Sequence, residues 1–308
     1  MIKKYFAMKK LNLYIKKICI SILLIIISST EINAQHLLEK NNYNTIFFEV
    51  RHPQSNKVSY LFGTHHAFSK SFFDSLDIPK KKLYKSNLVI LESLKIPSQN
   101  SEDIINAREK TTAWKKYLNK EDLIYTQDLL KNGPVSFDKL TPTELYVTLA
   151  RIYNIKVCDT RADDDPNSTL DGYISSIAKQ NNVKTIALET IKEQLEIINK
   201  DVEGMPRKIH KRRLSSLINL LLNNIKTRSC EECETYKSQE FTYNLEDDCQ
   251  NDLVLTDRNN KWMNVIPEFM MTNNCFIAVG LSHLRFNCGL IAQLSDKGFS
   301  ITPMKTND

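Results

Sequence analysis

LFGTHH at residues 61–66 and AVGLSH at residues 278–283 are the stretches that decide the fold of this chain. In each, an apolar run ends in a glycine, and a histidine follows three positions after that glycine. A glycine lets the chain turn sharply as it leaves a strand. We therefore expect His66 and His283 just beyond the carboxyl ends of two strands, where open α/β sheets place their ligands.

A carboxylate follows an apolar run at two further places. The run LVIL leads into Glu92, and the run IAL leads into Glu189. Two imidazoles and one carboxylate can hold a divalent ion with open coordination positions, and such an ion activates bound water and polarises a carbonyl. The pattern therefore predicts His66, His283 and Glu92 as metal ligands. Glu189 is predicted as a general base or as a hydrogen-bond acceptor behind them.

Short β-branched runs alternate with longer amphipathic ones along the chain. The predicted strands are 46–50, 58–63, 88–92, 156–159, 184–189, 275–280 and 299–302. The predicted helices are 101–118, 120–131, 143–152, 169–180, 190–200, 207–226, 231–243, 260–272 and 286–296. This alternation indicates an α/β fold with a central mixed sheet flanked by helices. Residues 190–272 are predicted as a helical layer on a single domain, 35–308, with a separate helical domain as the alternative.

Residues 1–34 differ from the rest of the chain. They begin with lysine pairs, contain the apolar run ICISILLIII at 18–27, and end in INA before Gln35. A basic start, a short apolar run and a small residue at the cleavage point are the layout of a secretory signal peptide. A membrane anchor is the alternative, although a span needs about 20 apolar residues. The mature chain is therefore expected in the periplasm or secreted, meeting the membrane only through this segment.

Most of the net positive charge of the chain comes from residues 1–34. They carry six of the 42 Lys and Arg residues and one of the 36 Asp and Glu residues, which leaves 36 basic and 35 acidic residues in the remainder. A remainder this close to neutral lacks the basic surface that nucleic-acid binding requires. We therefore predict no nucleic-acid partner.

Six cysteines lie beyond residue 34, and an even number in an exported chain predicts disulfides. The closely spaced Cys230, Cys233 and Cys249 predict a disulfide within residues 230–249, with a zinc site as the alternative. Cys158 and Cys275 fall in predicted strands, and we expect them to be buried.

Five segments, in order, resemble the TraB/GumN family, which includes the Tiki proteases. They are LFGTHHAF at 61–68, LVILES at 88–93, LDGYISSIAKQNNVKTIALETIKEQL at 170–195, LTDRNNKWMNVI at 255–266 and CFIAVGLSHLRFNCGLIAQLSDKGFSITPM at 275–304. The resemblance spans residues 45–304. It implies an α/β fold of the erythromycin-esterase and ChaN type and a metal-dependent protease activity.

The resemblance also implies roles for single residues. His66 and His283 match the paired family histidines, and Glu92 matches its essential acid. Other family motif positions fall on Glu189, Gln194, Arg258 and Asn259. Arg258 is expected to hold or polarise a substrate carbonyl or carboxylate, since a guanidinium has five donors. The alternative is that Arg258 and Asn259 fix their helix to Glu189.

Together these observations lead us to expect a metal-dependent, peptidase-like hydrolase that acts on a peptide or protein substrate. Its catalytic residues would be Glu92, Glu189 and Arg258, and its divalent ion would be manganese, cobalt or zinc. A non-catalytic protein that holds haem or a metal on the same fold is the alternative.

Overall fold

A six-stranded mixed sheet forms the centre of the residues that this computed structural model describes, 43–166 and 169–307. The predicted signal peptide lies outside the described residues. The strands, in chain order, are β1 (Phe47–Arg51), β2 (Ser59–Thr64), β3 (Leu88–Leu91), β4 (Lys184–Ala187), β5 (Cys275–Gly280) and β6 (Ser300–Pro303). Across the sheet they lie in the order β4-β3-β5-β2-β1-β6.

Four neighbouring strands are parallel. β4 pairs with β3, β3 with β5, and β5 with β2, all in the same direction, while β1 is antiparallel to both β2 and β6. The registers place Leu91 beside Ala278, and Gly63 beside Val279. The carboxyl ends of β4, β3, β5 and β2 therefore meet at one edge of the sheet, and residues 61–66 and 278–283 leave it side by side.

Apolar side chains on both faces hold the central strands in place. Every residue of β2 and β3 is buried, as expected of strands covered on both sides. On one face, the rings of Phe47, Phe62 and Phe276 lie within 6.2 Å of one another. A sheet buried in this way fixes the position of whatever follows its strand ends.

Helices cover the sheet, and capping residues start several of them. Thr141 caps one helix in a capping box with Glu144, and Thr190 does the same with Glu193. The helices are α1 (Lys70–Asp74), α2 (Asp77–Lys85), α3 (Ser101–Asn106), α4 (Lys120–Leu130), α5 (Pro142–Lys156), α6 (Leu170–Gln180), α7 (Ile191–Lys200), α8 (Arg207–Leu222), α9 (Arg228–Ser238), α10 (Asp257–Trp262), α11 (Ile266–Thr272) and α12 (Leu290–Asp296). A single π-helical turn, Asp252–Thr256, runs directly into α10.

The mixed α/β prediction is confirmed, and six of the seven predicted strands are present within two residues. No sheet strand of the described residues lies between β4 and β5, in agreement with the predicted helical layer at 190–272. The strand predicted at 156–159 is wrong. There α5 continues to Lys156, the amide of Val157 donates to the carbonyl of Tyr153 at 2.8 Å, and Asp159 has a φ of 53°, which no strand allows.

Some helix predictions also need correction. The helix expected at 101–118 ends at Asn106, and only a short 3₁₀ turn, Trp114–Lys116, follows. The helix expected at 260–272 is divided into α10 and α11. The short helices α1 and α2 were not predicted.

The cysteines pair across long distances in sequence. Disulfides join Cys158 to Cys230 and Cys249 to Cys288. The expectation of disulfides is therefore confirmed, but the pairing within residues 230–249 is wrong. Cys158 is buried as predicted, although as half of a disulfide. Cys233 and Cys275 are buried free thiols.

Within residues 43–166 and 169–307, no helix has both the length and the apolar character that a membrane crossing needs.

Candidate functional site

Four predicted site residues lie at the carboxyl edge of the parallel strands. Glu92 follows β3 directly, and Glu189 follows β4 by two residues, with its amide donating to the carbonyl of Glu92 at 2.9 Å. His66 comes two residues after β2, and His283 comes three after β5. The order of the strands, which sequence alone does not give, is what brings these four together.

Arg258 lies at the centre of this edge. Its Nη2 donates to Oε2 of Glu92 at 2.7 Å, and its Nε donates to Oε2 of Glu189 at 3.0 Å. Nη2 also donates to the second oxygen of Glu189. Its Nη1 lies 2.9 Å from Nε2 of His283. Arg258 therefore joins two buried carboxylates and one imidazole from three neighbouring strand ends.

The local structure around α10 holds this guanidinium in place. Nη1 also donates to the carbonyl of Val254, in the π-helical turn that precedes α10. The guanidinium lies 4.8 Å from the centre of the Trp262 ring, one turn further along the helix, within the range of a cation–π contact. Such single π-helical turns are frequent at functional sites.

Further donors complete the surroundings of the two carboxylates. Nε2 of Gln194 donates to Oε2 of Glu92 at 3.2 Å and to Oε1 of Glu189 at 2.9 Å. The amide of Gly280 donates to Oε1 of Glu92 at 2.7 Å. Burial opposes a charged carboxylate, but His283 and His66, which are protonated in the acid range where Glu92 titrates, outweigh it together with Arg258 and this amide and lower the pKa of Glu92 to about 2. Glu92 is therefore ionised at neutral pH.

His283 is a neutral imidazole with a defined tautomer. Its Nδ1 lies 2.7 Å from Oδ1 of Asn259, while the amide nitrogen of Asn259 donates to the carbonyl of Cys288 at 2.8 Å. Nδ1 must then be the protonated ring atom, because it faces an acceptor, and Nε2 is left to accept from Arg258. Burial lowers the pKa of His283 to about 4.

His66 is the exposed member of the site. Its side chain is 58% exposed, and its Nδ1 lies 3.0 Å from Oδ2 of Asp171. The other oxygen of Asp171 accepts from the hydroxyl of Thr64 at 2.7 Å. The surrounding protein disfavours a charged ring, but the charge of Asp171 and its hydrogen bond outweigh this effect and raise the pKa of His66 to about 9.

The structure thus brings Glu92, Glu189, Arg258 and His283 into direct contact and places His66 near them. The charges of Glu92 and His66 act on one another: Glu92 contributes to the raised pKa of His66, and His66 contributes to the lowered pKa of Glu92. Sequence analysis missed Asp171, although it lies in the LDGY segment that carries the family resemblance. Its position in the first turn of α6 explains the omission, because an acidic residue there is usually explained by its favourable interaction with the helix dipole.

The donor atoms, as arranged, do not fit a divalent ion. Oε2 of Glu92 and Nε2 of His283 both accept from Arg258, and Oε1 of Glu92 accepts from Gly280. That Oε1 lies 3.8 Å from Nε2 of His283. In the part of the chain that the structure describes, no group of three or more His, Cys, Asp or Glu side chains is placed to hold a metal ion. The cation between these groups is a guanidinium.

Comparison with known families identifies the group to which the chain is similar. The family model described as TraB/PrgY/gumN family matches residues 46–303, which includes every residue of the site. Neither the curated proteins nor the solved structures give a significant match to the chain. The expected likeness to the erythromycin-esterase and ChaN fold is therefore not confirmed beyond the mixed α/β class.

Proposed function

Because this chain belongs to the TraB/PrgY/gumN family, we propose that it is a hydrolase that cleaves a peptide or ester bond at the carboxyl edge of its sheet. One observation carries the proposal: His66 is exposed and oriented by Asp171, beside an otherwise buried cluster of charged groups. The family resemblance supports the substrate class. The placement of the site at parallel strand ends supports a ligand-binding role for this edge.

His66 is the residue suited to proton transfer. With a pKa of about 9 the ring is protonated at neutral pH, and because Nδ1 is held by Asp171, Nε2 is the ring atom left to donate a proton to a leaving group. A carboxylate that fixes the tautomer and orientation of an imidazole is the arrangement that recurs in hydrolases with a Ser-His-Asp triad. Thr64 holds the second oxygen of Asp171, which keeps that carboxylate from rotating.

The buried cluster consists of Arg258, Glu92, Glu189 and His283, and hydrogen bonds within the protein hold it together. Arg258 directs donors at Glu92, Glu189 and His283, so it has no free donor for a substrate carbonyl. The geometry therefore favours the alternative in which Arg258 fixes its helix to Glu189. We assign no step to the predicted manganese, cobalt or zinc ion, since Arg258 donates to two of the atoms that the ion would use.

The test is hydrolysis of a peptide library and of simple esters by the purified chain. His66→Asn removes the titrating ring, and we expect it to lower the rate by about 10²-fold or more. Asp171→Asn keeps the ring but loses its orienting charge, and it should give an intermediate rate. His52→Asn, in the β1–β2 turn at the opposite end of β2, is the matched control.

Equal rates for wild type and His66→Asn would contradict the proposal. Saturable haem or metal binding without any hydrolysis would favour the non-catalytic alternative instead. A Soret shift during haem titration and elemental analysis of the purified chain separate these two outcomes.

A further inference from the structure

Arg151, on α5, carries two hydrogen-bond donors that nothing in the described structure satisfies. Its Nε and Nη2 are both shielded from solvent, and neither has an acceptor among the described residues. Burial accordingly lowers the pKa of this guanidinium. A buried cation without an acceptor is costly, and buried charges in proteins are normally paired. Arg151 therefore needs an explanation outside the packing of the chain.

The groups around Arg151 are mostly cationic. Its charge partly opposes the rise in the pKa of His66, and burial together with this charge lowers the pKa of Arg161 to about 10. Arg161 is fixed to the segment after β2, because its Nε donates to the carbonyl of Ala67 at 2.8 Å and its Nη2 to that of His66 at 3.4 Å. The region beside the proposed site thus contains three cationic side chains, and we call it the cationic corner: Arg151, Arg161 and His66.

The carboxylates nearest to this corner are engaged elsewhere. Asp171 binds His66 and Thr64. Asp165, which raises the pKa of Arg161, accepts from the amide and the hydroxyl of Ser71, both at 2.7 Å. Neither hydrogen-bonds to Arg151, so neither supplies the acceptor that this guanidinium lacks.

We propose that Arg151 binds a carboxylate group of a ligand beside His66. Nε and Nη2 lie on one edge of the guanidinium, and their N–H groups form the parallel fork that matches the two oxygens of a carboxylate. Both nitrogens are covered in the structure, so binding requires a movement that exposes them to the ligand. If the proposed hydrolysis takes place, this contact selects peptides whose free C-terminus lies near the cleaved bond. As a binding site it does not depend on that activity.

The experiment is isothermal titration of the purified chain with N-acetyl-Ala-Ala as the free acid, with its C-terminal amide, and with inorganic phosphate. We expect the acid to bind about tenfold or more tightly than the amide, because only the acid offers a charged bidentate acceptor. Arg151→Met should remove this preference. Arg151→Lys should weaken it, since an ammonium group cannot form the fork. Arg212→Met, on the exposed face of α8, should leave it unchanged.

Thermal unfolding separates binding from folding. Arg151→Met removes an unpaired buried charge, so its melting temperature without ligand should equal or exceed that of the wild type. A large loss of stability would show that Arg151 has a structural partner and would overturn the proposal. Equal binding of acid and amide by the wild type, or binding of phosphate without the acid, would overturn it as well. None of these outcomes alters the His66→Asn test of hydrolysis.

Discussion

Nη1 of Arg258 lies 2.9 Å from Nε2 of His283, a residue that the sequence pattern predicts as a metal ligand. The same guanidinium donates to Glu92, the second predicted ligand on that side. The chain thus supplies its own cation at the point where its strand ends converge, and this contact decides what the buried cluster can do.

Arg258→Met should destabilise the chain by about 3–5 kcal/mol, because it leaves two buried carboxylates without their cation. It also frees Glu92 and His283, so millimolar manganese or zinc should restore part of the loss. The measurement is the urea midpoint with and without the metal chloride. The matched control is Arg108→Met, which likewise removes the arginine that pairs with a buried acid, Glu144. Glu144 differs from Glu92 because no imidazole is among its hydrogen-bond partners.

Metal rescue of both variants, or of neither, would contradict the idea that Arg258 occupies the position of the predicted ion. A wild-type chain that retains one tightly bound ion through His66 and His283 would contradict it too. Elemental analysis of both variants and of the wild type gives this result directly.

The ion pair of Arg108 with Glu144 should make the free energy of unfolding depend on pH. Burial opposes the charged form of Glu144, but its bonds with Arg108, Thr141 and Asn199 outweigh this and lower its pKa below the ordinary value of 4.5. A group with a lowered pKa in the folded chain stabilises it above that ordinary value, and the contribution is lost as the pH falls. The wild type should therefore keep its advantage over Glu144→Gln at neutral pH and lose it as the pH falls through 4.5 and below.

Urea unfolding of both proteins across this pH range is the measurement. Glu109→Gln, which changes an exposed carboxylate, should follow the wild type throughout. A gap between wild type and Glu144→Gln that stays constant with pH would show that the carboxylate does not contribute through its charge.

The disulfide between Cys249 and Cys288 should support the site as well as the fold. It closes a separation of 39 residues, which corresponds to about 4 kcal/mol in the chain-entropy description. The carbonyl of Cys288 also accepts from Asn259, which orients His283. Replacing both cysteines by serine should therefore lower stability and, beyond that, slow hydrolysis.

The matched variant removes the disulfide between Cys158 and Cys230, which spans 72 residues and does not contact Asn259. It should cost a similar free energy of unfolding while the rate, measured well below both melting temperatures, stays close to that of the wild type. Equal rate losses in the two variants would assign the effect to general stability.

Gly280→Ala should disturb the site more than the fold. A Cβ at this position would lie 3.1 Å from Oε1 of Glu92, so the carboxylate has to shift away from the Gly280 amide. We expect a loss of about 1–3 kcal/mol in unfolding free energy and a larger proportional loss of hydrolysis. At Gly63 the nearest atom is the flexible end of Leu281, so Gly63→Ala tests packing without touching Glu92. If the two substitutions affect the rate equally, the contact with Glu92 is not responsible.

The amino-acid sequence by itself determined the six sheet strands and their ends to within two residues. Alternation of apolar runs, the glycines at 63 and 280, and the polar residue after each run are local features, so they place His66, Glu92, Glu189 and His283 at strand ends without knowledge of the fold. The strand predicted at 156–159 failed because α5 extends through its first residue and Asp159 adopts a left-handed conformation, a local choice that apolar content does not reveal.

Only the tertiary structure decided which of these residues touch. Strand order β4-β3-β5-β2 sets Glu189, Glu92 and His283 side by side, and α10 inserts Arg258 between them from 166 residues beyond Glu92. The contact of His66 with Asp171 and both disulfides also join residues that are far apart in sequence. The lack of an acceptor for Arg151 is likewise a result of the packing. Such contacts depend on how the helices and strands pack, and a local pattern of residue types carries no information about that packing.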